Sequence, residues 1–320
     1  MKVSTISVDD ILDSTEYLDS QVKGEKIPIV ILLVPGILAP PVSVYHRSYH
    51  HVFANLFQNV LRSNNKHSTK TRIRLISFKV IDEPDEEGEV MVEYPDERLL
   101  RSASGLFISG GPCSAYDSVP WLNRLIEFCK HLRENHQDLR LFGICLGHQI
   151  LARVLGSEVV PNETGGWEIG IRKMDLNVNN RFCKKFLDLR GDGSLYIHQL
   201  HKDHVPDLPD SCVSIGSSTV TPIHGFIRFR SELSSLTSIS NNNISEGDKS
   251  DERTLDDVSI LTVQGHPEFT NDLSLKTIDV RQSKGIFTDR LANDARSTLE
   301  NGIDDGVWFT SQLFKIMKIF

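Results

Sequence analysis

The sequence lacks the cysteine pattern of a disulfide scaffold or a zinc site. Its cysteines number five, an odd count, and no two of them form a C-x-x-C pair. Disulfide frameworks and structural zinc sites depend on paired or closely spaced cysteines. The sequence therefore predicts free thiols in a reducing compartment, the cytoplasm. The cysteines lie at positions 113, 129, 145, 183 and 212.

Long apolar runs and an excess of positive charge are also missing. The longest apolar run, Ile27 to Ala39, has 13 residues and is interrupted by Pro35, whereas a membrane-spanning helix needs about 20. Residues 1–26 are polar and acidic, without the apolar core of a secretory signal, and are interpreted as a polar N-terminal extension. The net charge of -8 disfavours binding to a phosphate backbone. Neither a membrane nor a nucleic acid is a predicted partner.

The first half of the chain alternates between strand and helix patterns. Short apolar runs bounded by turn residues are typical of strands buried on both faces of a parallel sheet. Helix-period apolar spacing lies between them, at about residues 46–62 and 117–135. The alternation predicts an α/β fold with an open, mostly parallel doubly wound sheet and flanking helices. The predicted strands are Ile29–Val34, Ile73–Val80, Gly105–Ser109 and Leu139–Ile144.

After residue 156 shorter strand patterns predict the completion of the sheet and a small antiparallel extension, followed by helices. Residues 27–320 are predicted to form one domain. These strands are Gly170–Leu176, Ser194–Ile197, Ser211–Gly216, Gly225–Phe229 and Ser259–Val263, and the helices are Asn271–Phe287, Arg290–Asn301 and Val307–Met317.

Residues 231–257 interrupt this second half with a segment rich in Ser, Asn, Asp and Glu and almost free of aromatic residues. Such a composition buries too little apolar surface to offset the entropy of ordering. We interpret the segment as a flexible insertion in a surface loop. It is either a tolerated insertion or a regulatory, partner-binding loop.

A possible nucleophile lies in the G-x-C-x-G segment around Cys145, where a buried strand runs into a helix. In a strand-to-helix elbow the flanking residues must be small, because neighbouring backbone passes close by. Cys145 would lie at the N-terminus of the helix, where the helix dipole favours a thiolate. The alternative is a buried cysteine that packs in the core and has no catalytic function, since cysteine is among the most buried residue types.

A partner base is present in the segment Gly265-His266-Pro267-Glu268, directly after another apolar strand. In extended backbone, residues i and i+2 point to the same side. His266 and Glu268 can therefore both face the pocket, with Glu268 holding the imidazole in one tautomer. A cysteine, an imidazole and an orienting carboxylate are the groups of nucleophilic acyl transfer. The pair favours catalysis over a packed cysteine and a buried, hydrogen-bonded histidine.

Two backbone amides are candidates for an oxyanion hole. The first is the N–H of Leu146, the residue after the nucleophile. The second is the N–H of Gly111 in the loop Ser109-Gly110-Gly111-Pro112, where two glycines follow an apolar strand.

Together the segments G-I-C-L-G-H-Q, S-G-G-P and G-H-P-E-F resemble the three signatures of class I glutamine amidotransferases, in the family's order over roughly residues 105–270. Within that family the chain is most similar to stand-alone members related to the GMP synthase glutaminase domain, including γ-glutamyl peptidases. The resemblance implies a flavodoxin-like fold and a γ-glutamyl thioester on Cys145.

Candidate substrate-binding residues follow from the same resemblance. Gly166 and Trp167 lie in a segment similar to the family's G-W-E-x-G, which borders the glutamyl pocket, although Trp167 can equally belong to the core. Asp203 lies in an element resembling H-x-D-x-V-x-x-L-P. Gln149 follows the nucleophile by one helical turn, and Gly110 precedes the proposed oxyanion amide.

Three histidines at 198, 201 and 204 have a spacing that suggests a metal site. They follow a strand rather than a clear helix and lack the carboxylate-histidine arrangement of open metal sites. No metal and no other cofactor is therefore predicted.

These observations predict a Cys-His-Glu amidohydrolase that acts on the γ-carboxamide of glutamine or on a γ-glutamyl amide. The sequence has no P-loop or ATP-pyrophosphatase signature, so a synthase that uses the released ammonia would be a separate partner subunit. A first alternative is a partner-independent γ-glutamyl peptidase that acts on glutathione-like peptides. A second is a non-catalytic binding protein on the same fold.

Overall fold

The computed structural model describes residues 1–14, 27–64, 71–82, 92–163, 166–186, 193–230 and 253–320. The strands in these ranges are β1 Lys2–Ile6, β2 Ile11–Ser14, β3 Ile29–Val34, β4 Ile73–Lys79, β5 Gly105–Ile108, β6 Leu141–Ile144, β7 Val160–Pro161, β8 Glu168–Leu176, β9 Ser194–His201, β10 Asp203–His204, β11 Cys212–Ser217, β12 Gly225–Phe229 and β13 Val258–Val263. The helices are α1 Val42–His46, α2 Tyr49–Ser63, α3 Glu97–Ser102, α4 Pro120–Asn135, α5 Leu146–Val154, α6 Arg181–Phe186, α7 Asn271–Ser283, α8 Asp289–Asn301 and α9 Gly306–Ile316.

The centre of the main sheet consists of parallel strands in the order β4-β3-β5-β6-β13. Numbered by their position along the chain, these strands have the order 2-1-3-4-5 of flavodoxin-like proteins. This arrangement confirms the predicted α/β fold class. The winding reverses between β3 and β5, and in such sheets ligands bind beyond the carboxyl ends of the strands near that point.

Helices cover both faces of this parallel centre. On one face α2 packs with α9, and the rings of Phe57 and Phe314 lie 5.1 Å apart between them. On the other face α4 and α5 pack together over apolar residues that include Leu125 and Ile150. Phe107 in β5 points to the first face and its neighbours Leu106 and Ile108 to the second. This alternation explains why the central strands are apolar throughout.

An antiparallel extension continues the sheet beyond β13 in the order β12-β11-β8-β9. The strand β9 runs to His201, four residues beyond its predicted end at Ile197. It pairs with β8 along its whole length, from Asp175 opposite Ser194 to Glu168 opposite His201. The longer pairing brings His201 of the H-x-D element into the sheet, whereas Asp203 lies in β10, which pairs with β7 in a separate two-stranded sheet.

The N-terminal segment, interpreted above as an extension outside the domain, contributes β1 and β2 to the sheet. β1 pairs antiparallel with the edge strand β4, with Val3 opposite Ile76 and Ile6 opposite Ile73. Val3 and Ile6 are buried. Ser4 is buried too, and its hydroxyl lies 2.7 Å from His50 Nε2. A polar segment therefore joins the core because the edge of β4 supplies backbone partners. Residues 15–26 lie outside the described residues.

Most of the predicted insertion, residues 231–252, also lies outside the described residues. Its last part is ordered as a 3₁₀ turn, Leu255–Asp257, with a capping box between Thr254 and Asp257. Across the described ranges, no helix has both the length and the apolar character that crossing a membrane requires.

Candidate active site

Cys145 lies at the turn between β6 and α5, as the G-x-C-x-G pattern predicts. Its backbone has φ 52° and ψ -106°, a conformation that L-residues rarely adopt. The Cys145 N–H donates to the carbonyl of Val263 at 2.9 Å, and the Cys145 carbonyl accepts from the Gln149 N–H at 3.1 Å. The first bond ties Cys145 to the end of β13, and the second ties it to the first turn of α5. The side chain is therefore held beyond the strand end, at the positive end of α5.

The elbow glycines are required by close backbone contacts. A Cβ atom added to Gly147 would lie 2.1 Å from the carbonyl oxygen of Ile108, and one added to Gly143 would lie 2.6 Å from the carbonyl oxygen of Gly147. Both neighbours are backbone atoms of the core, which cannot move aside as a flexible side chain can. Helix α5 approaches strands β5 and β6 closely only because these positions have no side chain.

Replacement of Gly147 by alanine is expected to lower the free energy of unfolding by roughly 3 kcal/mol, the upper range for an overpacked core site. The measurement is a urea unfolding curve. Gly156→Ala is the matched control, because Gly156 has φ +95° and nothing within 4 Å of an added Cβ. There only backbone strain remains, about 1 kcal/mol. Equal losses in the two variants would contradict the crowding of Gly147.

The His266 imidazole lies directly beyond the end of β13, next to Cys145. Its Nδ1 is 2.8 Å from Glu268 Oε1, and both side chains are buried. Its ring stacks on Phe269 with centroids 4.1 Å apart, and its backbone N–H donates to the carbonyl of His198 at 2.7 Å. The ring is thus held from three sides, with Nδ1 occupied and Nε2 left for Cys145.

Charge stabilises the protonated form of this imidazole. Burial by itself lowers the pKa of His266, but the charges of Cys145 and Glu268, together with hydrogen bonds to both, outweigh burial and raise the pKa. An anion on each side of the ring favours the imidazolium. The arrangement can hold Cys145 as a thiolate and His266 as an imidazolium. The imidazolium then carries a proton on Nε2, the nitrogen left for Cys145.

The glycine loop after β5 lies against both groups. A Cβ added to Gly110 would be 2.8 Å from His266 Cε1 and 3.6 Å from the Cβ of Cys145. One added to Gly111 would be 2.4 Å from Leu146 Cδ2. Leu146 is the first residue of α5, so its N–H has no acceptor within the helix. The two predicted oxyanion amides therefore belong to adjacent segments beside Cys145.

Gln264 is a site residue that the sequence motifs did not single out. It is fully buried, and its Nε2 lies 3.7 Å from Cys145 Sγ. The Gln149 amide donates to Gln264 Oε1 at 3.1 Å and to the carbonyl of Asp203 at 3.0 Å. A chain of polar contacts therefore runs from Asp203 to the thiol. Its sequence signal is a glutamine at the strand end, two residues before His266.

The predicted substrate-binding side chains have partners within the protein. The Asp203 carboxylate accepts hydrogen bonds from Ser114 at 2.5 Å and Tyr116 at 3.3 Å. Trp167 packs edge-on against Phe287, with centroids 5.2 Å apart. Gly166 has φ +64° and nothing within 4 Å of an added Cβ. Gly110 and Gln149 thus lie close to Cys145, whereas Trp167 packs against the apolar cluster that contains Phe287.

The three histidines 198, 201 and 204 do not converge on one point. His198 Nδ1 lies 2.8 Å from the Ser274 hydroxyl. His201 instead meets His224 and Glu168, with Nε2 atoms 3.1 Å and 3.3 Å from Glu168 Oε2.

The donor atoms of Glu168, His201 and His224 lie close enough to hold a metal ion. The same carboxylate also accepts hydrogen bonds from Ser218 and Thr221. Burial raises the pKa of Glu168, but the two histidines outweigh burial and lower it. Glu168 is thus the buried anion of this group, bound by two hydroxyls and next to the two histidine rings.

Fold and site together define a flavodoxin-like α/β protein with a cysteine at the elbow between β6 and α5 and a histidine-carboxylate pair after the neighbouring strand β13. A family model described as glutamine amidotransferase class-I matches residues 63–278, more than half of the chain. The chain belongs to the class-I glutamine amidotransferase family.

Proteins similar to this chain include both amidotransferase-like proteins and peptidases. A protein of Schizosaccharomyces pombe described as glutamine amidotransferase-like is 24% identical, over 79% of this chain and 86% of its own length. Gamma-glutamyl peptidase 3 of Arabidopsis thaliana is 27% identical, over 67% of this chain and 74% of its own length. The crystal structure of a glutamine amidotransferase from Thermotoga maritima covers 91% of this chain and 98% of its own, with a TM-score of 0.56 and 18% identity. At that identity the structural likeness concerns the fold.

Proposed function

We propose that the protein hydrolyses the γ-amide bond of glutamine or of a γ-glutamyl amide through a thioester on Cys145. The observation that carries this proposal is the buried pair of His266 and Glu268, 2.8 Å apart, whose imidazole pKa is raised by the neighbouring Cys145. A packed structural cysteine needs no such partner. A thiolate beside an imidazolium is the activated nucleophile of acyl transfer.

The first half of the reaction forms the thioester. The Cys145 thiolate attacks the γ-carbonyl carbon, and the developing oxyanion accepts hydrogen bonds from the N–H groups of Gly111 and Leu146. His266 gives its Nε2 proton to the amine as the carbon–nitrogen bond breaks. Ammonia or the amine of a peptide leaves, and the γ-glutamyl group remains on sulfur.

The second half releases glutamate. His266, now neutral, takes a proton from a water molecule that attacks the thioester carbon. Collapse of the second tetrahedral intermediate expels the thiolate and yields free glutamate. Glu268 stays ionised throughout and stabilises the imidazolium each time it forms. Support for hydrolysis of γ-glutamyl bonds also comes from the likeness to a γ-glutamyl peptidase.

Incubation of the purified chain with glutamine and, separately, with a γ-glutamyl dipeptide is expected to release glutamate without any added protein. Glutamate and ammonia are quantified over time. A glutaminase that serves a synthase would instead act on glutamine weakly and accelerate when a partner subunit is added. Absence of glutamate from both substrates at high enzyme concentration would contradict the proposed hydrolysis and favour a binding protein.

A further inference from the structure

A cavity of about 280 Å³ opens beside the glycine loop. Its volume lies just below the range of roughly 300–1,000 Å³ that is usual for small-molecule sites. One wall is apolar and comes from the segment after β3, including Leu38 and Val42. The opposite wall comes from α7 and the turn after it, and carries the cations Arg281 and Lys284. The cavity thus suits a small ligand with an apolar part and a negative charge.

One part of the cavity lies close to His266. Gly111 and Phe269 both line it, and Phe269 is the residue whose ring stacks on His266. Tyr49 lines it as well; burial, with Glu268 and Cys145 nearby, raises the pKa of the Tyr49 phenol. His266 must reach the departing amine in order to protonate it. Gly111 and Phe269 therefore place the cavity next to the imidazole that would protonate the leaving amine.

Arg281 is the half-buried cation of this wall. Its guanidinium carbon lies 5.2 Å from the ring centre of Trp167 and 5.7 Å from that of Phe287. Aromatic faces hold a guanidinium in place without neutralising it. Among the described residues, no carboxylate forms an ion pair with Arg281; its charge interacts with Tyr49 and Cys145. A fixed guanidinium without a carboxylate partner is a binding group for a carboxylate.

We propose that this cavity is the leaving-group subsite and that Arg281 binds a carboxylate on the departing amine. The preferred substrates are then γ-glutamyl amino acids and short γ-glutamyl peptides, rather than glutamine, whose leaving group is ammonia. This inference rests on the proposed function and narrows its substrate class. It assigns Trp167 a positioning role, because the indole supports the guanidinium.

Three substrates with the same glutamyl group separate the possibilities: γ-glutamylglycine, γ-glutamylglycinamide and glutamine. Only the first has a carboxylate on its leaving group. The wild-type protein is expected to show a kcat/KM for γ-glutamylglycine about tenfold to a hundredfold above that for the amide, as a charge-assisted hydrogen bond implies. Arg281→Met should lower kcat/KM for γ-glutamylglycine by the same factor and change the other two less than about threefold. Arg281→Lys should recover part of the loss.

Arg290→Met is the matched control, since it removes the same charge from the start of α8 at an exposed residue that does not line the cavity. This variant should have the wild-type kcat/KM for all three substrates. If Arg281→Met lowered kcat/KM equally for the three substrates, the leaving-group assignment would be overturned. Arg281 would then bind the α-carboxylate of the glutamyl group. Equal wild-type rates for γ-glutamylglycine and its amide would overturn it as well. Failure of the wild-type protein to cleave any of the three refutes the proposed function itself.

Discussion

Replacement of Cys145 by alanine is expected to lower the rate of γ-glutamyl hydrolysis by at least about 10⁴-fold, because no thioester can form without the sulfur. The fold should persist. Cys145 is a small side chain at a turn whose conformation is fixed by backbone bonds to Val263 and Gln149, and alanine keeps the Cβ. The measurements are glutamate release and the midpoint of thermal unfolding.

Cys212→Ala provides a matched control for the loss of a thiol, because Cys212 lies in β11, away from the carboxyl ends of the parallel strands. That variant should keep wild-type activity. Mass spectrometry of the wild-type protein quenched during turnover should detect one γ-glutamyl adduct on the peptide that contains Cys145. An adduct on another residue, or turnover by Cys145→Ala, would refute Cys145 as the nucleophile.

Replacement of Glu268 by glutamine is expected to lower kcat by roughly 10²–10⁴-fold, the usual range for a lost acid-base function. The carboxylate accepts a hydrogen bond from His266 Nδ1 at 2.8 Å and helps to raise the pKa of the imidazole. A neutral amide supplies no such charge and can impose the wrong tautomer. The change of one oxygen to NH₂ leaves the packing volume almost unaltered.

The pH dependence of kcat/KM provides the specific test of this role. Activity on the alkaline side falls as His266 loses its proton. The pKa of His266 decreases when Glu268 is neutralised, so the alkaline limb of Glu268→Gln should move to lower pH. Glu158→Gln, at an exposed residue, should leave the profile in place. An unshifted limb in Glu268→Gln, together with a normal rate, would show that Glu268 does not orient the base.

Much of the fold is predictable from local patterns in the sequence. The strands Ile29–Val34 and Gly225–Phe229 have the same bounds in the structure as in the sequence prediction. Ile29–Val34 is an apolar run that ends at Pro35-Gly36, and Gly225–Phe229 is apolar except for Arg228, so in both strands the pattern agrees with the burial. β1 is not predictable in this way, because Lys2–Ile6 has only a weak alternation and its strand conformation depends on pairing with the edge of β4. An edge formed by a distant segment leaves no trace in the local pattern.

The candidate site, like the fold, is only partly predictable from local patterns in the sequence. Cys145, His266 and Glu268 are predictable because each lies in a short motif at the end of an apolar strand. The carboxyl ends of β5, β6 and β13 are neighbours in a parallel sheet, so residues that follow them meet. Gln264 is not predictable in this way, since only the pairing of Val263 with Ile144 places its amide beside the sulfur.

The sequence by itself determined the α/β class, the strands of the parallel centre and the motifs that meet at their ends, because these depend on interactions between near neighbours along the chain. Only the tertiary structure decided that Asp203, Gln149 and Gln264 connect to Cys145 through polar contacts. It also decided that Arg281 packs on Trp167 and lines the cavity. The reason is physical: Arg281 and Trp167 are distant in sequence, and their contact exists only because α7 packs on α8 and α8 packs against β8. Side-chain contacts of that kind depend on the packing of whole elements, which no local pattern specifies.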